Sequence, residues 1–169
     1  IPDSVEEMNS TFSECTSLIE APVIPNGVTN MYSTFFRCTS LIEAPEIPDS
    51  VEEMNSTFSE CTSLVEAPVI PNGVTNMYST FSGCTSLAKA PEIPNSVTDM
   101  EFTFADCSSL TGDLIINANP TNYGHCLSNV ATNPGCNLVL SGASTKLQEI
   151  YNTKSENSNI TIGNQEIIM

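Results

Sequence analysis

A 23-residue period governs the first two-thirds of this chain and leaves little choice of architecture. Each repeat opens on Ile-Pro, at Ile1, Ile24, Ile47, Ile70 and Ile93. A methionine follows at Met8, Met31, Met54, Met77 and Met100, and a phenylalanine at Phe12, Phe35, Phe58, Phe81 and Phe104. Then come Cys15, Cys38, Cys61, Cys84 and Cys107, and after them Leu18, Leu41, Leu64, Leu87 and Leu110. A unit this short cannot bury its apolar face alone, so a fixed period of this length implies units stacked on one another. The chain reads as an elongated solenoid rather than a 169-residue globule.

Within the repeat at residues 24–46, Val28, Met31, Phe35 and Cys38 fall on one stripe of a 3.6-residue period. Ser4 with Glu7, and Ser50 with Glu53, have the spacing of a capping box. These signals predict a short helix, or a helical turn of 3₁₀ character, over 28–35. The chain then turns at Thr39-Ser40 into a short extended piece over 42–47. Pro22, Pro45, Pro68 and Pro91 lie in that piece, so the strands are expected to be short and irregular.

Residues 1–46 and 47–92 differ at only five positions: Ile19/Val65, Phe36/Ser82, Arg37/Gly83, Ile42/Ala88 and Glu43/Lys89. The repeats starting at Ile1, Ile24 and Ile93 have diverged further, so what they still share marks the packing positions. Beyond Leu110 the pattern frays. Residues 114–116, 137–140 and 159–162 fall where further strands belong, and Tyr123 and Leu127 take the methionine and phenylalanine slots. Residues 144–151 read as a capped helix with Leu147, Ile150 and Tyr151 turned inward. Two parts are expected: five repeats plus the following strand over 1–116, and degenerate repeats forming a C-terminal cap over 117–169.

The formal net charge is -16, from 20 acids against four bases. Of these acids 17 fall in residues 1–116, beside only Arg37 and Lys89. So acidic a surface repels phosphate backbones, which argues against nucleic acid and for basic proteins or cations as charged partners. No apolar run approaches a membrane span. The chain opens in mid-repeat, so an upstream segment carrying any targeting signal is expected to have been removed.

The run Phe-x-x-Cys-x-x-Leu, a short strand, Ile-Pro-x-x-Val-x-x-Met and Phe again resembles the BspA-like class of leucine-rich repeats. The likeness is close over 1–116 and loose beyond. Met stands where that class often has Ile, and the Ala-Pro-x-Ile-Pro strand runs one residue longer. The resemblance implies a bacterial cell-surface or secreted protein engaged in adhesion to host matrix proteins or to other cells.

The remaining chemistry is sparse. Stacked identical side chains point in parallel, so the five repeat cysteines are expected to be buried free thiols. Cys126 and Cys136 lie off that row, in a loop where a disulfide is one option and two thiols the other. No C-x₂-C pair exists and His125 is the single histidine, so no metal or cofactor is expected. His125 beside Cys126 has no acidic partner for nucleophilic catalysis, and no enzyme is expected.

The acids are arranged in rows. Glu6-Glu7 recurs at Glu52-Glu53, two rungs on and about 10 Å away, where unit charges in water repel by roughly 0.4 kcal/mol. Glu20, Glu43 and Glu66 stand on consecutive rungs about 4.8 Å apart, where the repulsion roughly doubles, and Lys89 ends their row. Position 23 of the unit alternates Val23, Glu46, Val69, Glu92, which marks it as exposed. Solvation, a basic partner or a weakly held cation such as calcium would each offset the row.

Together these readings predict a leucine-rich-repeat solenoid of the right-handed α/β kind, with a parallel ladder of short strands on one face and short helices or 3₁₀ turns on the other. Its expected role is non-catalytic protein–protein recognition through Glu20, Glu43, Glu46, Glu66, Lys89 and Glu92 on the strand side. The alternative is a structural spacer or stalk for another domain.

Overall fold

In the computed structural model, residues 1–163 are described, and within them successive repeats lie side by side in parallel. One ladder of single-residue bridges runs Glu7, Asn30, Glu53, Asn76, Asp99, Asn122. A second runs Glu20, Glu43, Glu66, Lys89, and Ile93 pairs with Ile116. The extended pieces of the early repeats thus shrink to single bridges. Each bridging residue of the second ladder is followed two positions later by proline, which has no N–H to offer a neighbour.

Full strands form only where the extended piece itself carries no proline. β1 (Gly112–Ile115), β2 (Leu138–Ser141) and β3 (Ile160–Ile162) make a parallel sheet in the order β1-β2-β3. Gly112 sits opposite Leu138, and Leu138 opposite Ile160. Between β2 and β3 lies α1 (Leu147–Tyr151), which buries Leu147 and Ile150 and half-buries Tyr151. Its N-cap is Lys146 with no side-chain cap; the Ser144 hydroxyl accepts the Lys146 N–H just before it. The expected C-terminal part extends to residue 169, and its residues 164–169 lie outside those described.

Of the two forms expected over 28–35, a short helix or a helical turn of 3₁₀ character, the helix does not form. Residues 31–37 instead make a run of tight turns. Alternate N–H groups bond three residues back, as Thr34 does to Met31 at 3.1 Å and Phe36 to Ser33 at 3.2 Å. The others cross to the next rung: Met31 to Glu53, Ser33 to Asn55, Phe35 to Thr57 and Arg37 to Ser59, each at 2.9 Å. A helix would keep every N–H within its own segment, whereas this turn run splits them between itself and its neighbour. The geometry requires a left-handed residue at every fourth position, here Ser33 (φ 52°) and Arg37 (φ 57°). In the duplicated rung that second position is Gly83 (φ 75°), the residue that adopts it without steric cost. The capping box is replaced as well: the Ser50 hydroxyl donates to the Val28 carbonyl of the preceding rung at 2.7 Å.

Packing follows the period. Met54, Phe58 and Leu64 are fully buried, like their equivalents on the neighbouring rungs. Phe12, Phe35, Phe58, Phe81 and Phe104 stack in one column, with centroids 5.5–5.7 Å apart and ring planes within 8° of parallel. Cys38, Cys61, Cys84 and Cys107 are buried free thiols, each donating 3.1 Å to a phenylalanine carbonyl of the preceding rung. Cys15, expected to be buried, is exposed on the first rung of the stack.

Cys126 and Cys136 are both free thiols. Their sulfurs serve different neighbours. Cys126 lies 3.4 Å from the Thr153 hydroxyl, and Cys136 donates to the Ser109 carbonyl at 3.4 Å. Cys126 occupies the slot filled by Thr103 one rung earlier, because Phe104 bonds its carbonyl just as Phe81 bonds that of Thr103.

Candidate functional site

The bridge ladder places Glu20, Glu43, Glu66 and Lys89 on consecutive rungs, side by side and exposed. The Lys89 ammonium contacts the Glu66 carboxylate at 2.5 Å, so the last acid of the row is compensated from within the chain. Arg37 is held at 2.8 Å by Glu60 and at 3.6 Å by Glu14, and Lys146 pairs with Glu149 at 3.1 Å. Among the described residues no base lies within ion-pairing distance of Glu20, Glu43 or Glu46. Glu46 and Glu92 are exposed, alternating with Val23 and Val69, which are exposed as well. The Glu92 carboxylate accepts the Asn117 side-chain amide at 2.6 Å.

Two open grooves follow this side. The larger, about 940 Å³, is lined by Glu66, Pro68, Val69, Lys89, Pro91 and Glu92 among others. The smaller, about 460 Å³, is lined by Ile42, Glu43, Ala44, Val65, Glu66, Ala67 and Pro68. The grooves bring together four of the six candidate residues, Glu43, Glu66, Lys89 and Glu92; Glu20 and Glu46 lie outside both.

A second row went unread in the sequence. Ile19, Ile42 and Val65 stand on consecutive rungs one residue before the acids, about half exposed at 59%, 47% and 48%. The Ile42 and Val65 N–H groups bond the carbonyls of Ile19 and Ile42, which fixes the row along the stack. A signal was present. Large aliphatics persist at this slot in three consecutive rungs, immediately after the repeat leucine.

The other ladder manages its charge differently. Glu7, Asn30, Glu53, Asn76, Asp99 and Asn122 alternate carboxylate with amide, which keeps like charges two rungs apart. The Asn122 amide donates to Asp99 at 3.0 Å. Among the described residues no three or more His, Cys, Asp or Glu side chains are placed to hold a metal ion. No helix among them is long and apolar enough to cross a membrane.

In the C-terminal part, the Tyr123 hydroxyl donates to the Glu149 carboxylate, which also receives Lys146 at 3.1 Å. The tyrosine bond, and secondarily the lysine, hold the Glu149 carboxyl below its ordinary range. Burial pushes the Cys38 and Cys126 thiols up to about 11 and Cys61 to about 12. These thiols are poor nucleophiles in place.

Parallel rungs of fixed length, a buried column of repeat side chains and an exposed bridge ladder define a stacked-repeat protein. The chain belongs to the BspA-type leucine-rich-repeat family: residues 1–111 match its repeat region, in six copies. Proteins of this repeat class are typically protein-interaction modules. Among solved structures, a leucine-rich-repeat protein of T. pallidum is 28% identical with a TM-score of 0.53, covering 65% of this chain and 52% of its own. A leucine-rich-repeat protein from Bacteroides ovatus is 16% identical with a TM-score of 0.48, covering 96% of this chain and 55% of its own. The chain therefore spans about half the length of either. No curated protein matches it.

Proposed function

We propose that this chain is a non-catalytic recognition module that binds a protein along its strand-side face. The observation that carries this reading is the paired row on that face. Aliphatics at Ile19, Ile42 and Val65 run beside acids at Glu20, Glu43 and Glu66, over rungs locked by backbone hydrogen bonds. An array held this rigidly loses little entropy when a partner seats on it. Solvation alone explains exposed acids, but not a row of exposed aliphatics beside them.

The proposed setting is extracellular or at a cell surface, with a host matrix or cell-surface protein as the class of partner. The part from residue 117 onward then serves as a cap, in which β2, β3 and α1 carry the sheet on from β1 and close the stack. A panel of immobilised purified matrix proteins tests the reading. The chain is compared with a variant carrying Ile19→Ser, Ile42→Ser and Val65→Ser, and with Tyr32→Ser as a control outside both grooves. Retention lost in the triple variant and kept in the control supports recognition by the strand side. Retention that survives the triple variant moves the site elsewhere, and a chain that retains no panel member favours the spacer.

A further inference from the structure

Resting on that reading of the strand side, we propose that its partner presents an amphipathic α-helix with a basic flank, laid along the stack across the rungs. The smaller groove supplies both chemistries at once, since Ile42 and Val65 share its wall with Glu43 and Glu66. Three aliphatics in a line along the stack select the secondary structure of what covers them. Rungs about 4.8 Å apart place Ile19 and Val65 about 9.6 Å from each other. A helix offers side chains on one face at i, i+4 and i+7, spanning about 10.5 Å. An extended segment offers them at i, i+2 and i+4, spanning about 13.4 Å. The helix meets all three rungs within the reach of side-chain adjustment; the extended segment falls out of register by nearly a whole rung.

Pairing by strand addition does not suit this face either. A strand joins a sheet at its edge, and the face runs across the bridges rather than along an edge. Charge gives the helix its flank. Glu20 and Glu43 have no base within ion-pairing distance among the described residues, whereas Glu66 already holds Lys89. Basic residues one position round the helix from its apolar stripe meet these two acids while the stripe covers Ile19, Ile42 and Val65. Because Lys89 and Ala88 replace Glu43 and Ile42 in the duplicate, the track ends at that rung.

The duplicate also supplies a clean test. Ile42→Ala with Glu43→Lys gives this rung the residues that its copy already carries, so the fold tolerates them. Two labelled peptides of identical composition, leucine and lysine with alanine and glutamine, serve as probes. One places leucine at helical spacing and the other alternates leucine and lysine. Binding is read by fluorescence anisotropy at about 0.15 M salt, where distant charges are screened. Glu52→Lys makes the same charge change outside both grooves.

The helical peptide should bind the chain at least tenfold more tightly than the alternating one. It should lose at least tenfold on the double variant and less than twofold on Glu52→Lys. An alternating peptide that binds as tightly and responds to the double variant overturns the helix but leaves the recognition face standing. Equal losses in both variants, or none in either, overturn the inference, and the matrix-protein panel then judges the face without these peptides.

Discussion

The hydroxyl of Thr57 lies 2.8 Å from the main-chain carbonyl oxygen of Met31, one rung before it. The same bond joins Thr34 to Met8, Thr80 to Met54 and Thr103 to Met77, all buried. Each of these carbonyls also accepts the N–H three residues on, as Met31 does from Thr34 at 3.1 Å, so the hydroxyl adds a second bond, and such a bond contributes about 0.5–1.5 kcal/mol. Thr57→Val keeps the shape and removes the donor, so it should destabilise the chain by about that amount in urea denaturation. Thr57→Ser should lose less. A valine variant as stable as the parent would contradict this role.

Phe58 stacks between Phe35 at 5.5 Å and Phe81 at 5.7 Å, with no exposed surface. Phe58→Ala should cost about 3–5 kcal/mol, since the rungs on both sides are held by backbone bonds and cannot collapse into the gap. Unchanged melting would mean that the aromatic column does not hold the stack.

Much of this packing was legible in the residues, because every buried slot recurs at a fixed interval and needs only size and polarity to be recognised. The local backbone was not. Val28, Met31, Phe35 and Cys38 sit on a helical stripe, yet turns with a left-handed residue at every fourth position bring the same four side chains inward. Ser33 and Arg37 give no hint of that conformation, and only Gly83 in the duplicate betrays it. The acid row was read correctly as lying on consecutive rungs, since the period alone dictates it. The aliphatic row beside it left a signal in the recurrence of Ile19, Ile42 and Val65 at one slot, but the prolines break the alternation of faces, so the side on which these residues lie could not be read.

Thiol chemistry should divide the seven cysteines by burial. Cys38, Cys61, Cys84, Cys107 and Cys126 are buried, and desolvation raises each above its ordinary value, so their thiolate fraction near pH 8 is very small. Cys15 is exposed and Cys136 half-buried. Alkylation of the native chain near pH 8 should modify those two rapidly and the other five only on unfolding. Denatured, unreduced protein should titrate seven thiols; five would show that Cys126 and Cys136 are bridged after all.

Acid should loosen the C-terminal part by way of Glu149. Its carboxyl is held low in the fold, first by the Tyr123 hydroxyl and then by Lys146. A depressed carboxyl contributes stability above its unfolded value, and that contribution is lost as the pH falls through its folded value. Glu149→Gln should therefore melt below the parent at about pH 7 and draw level with it towards about pH 3. A gap that stays constant over this window would mean the carboxylate adds nothing through its charge.

Carboxylate footprinting addresses the recognition face most directly. The chain is labelled with a carbodiimide and an amine, free and then bound to whichever matrix protein of the panel retains it most strongly, and each modified acid is mapped by mass spectrometry. The account predicts strong protection of Glu20 and Glu43 on the strand side, with Glu6 and Glu52 labelled as in the free chain. Protection at Glu6 and Glu52 with Glu20 and Glu43 still open would contradict it.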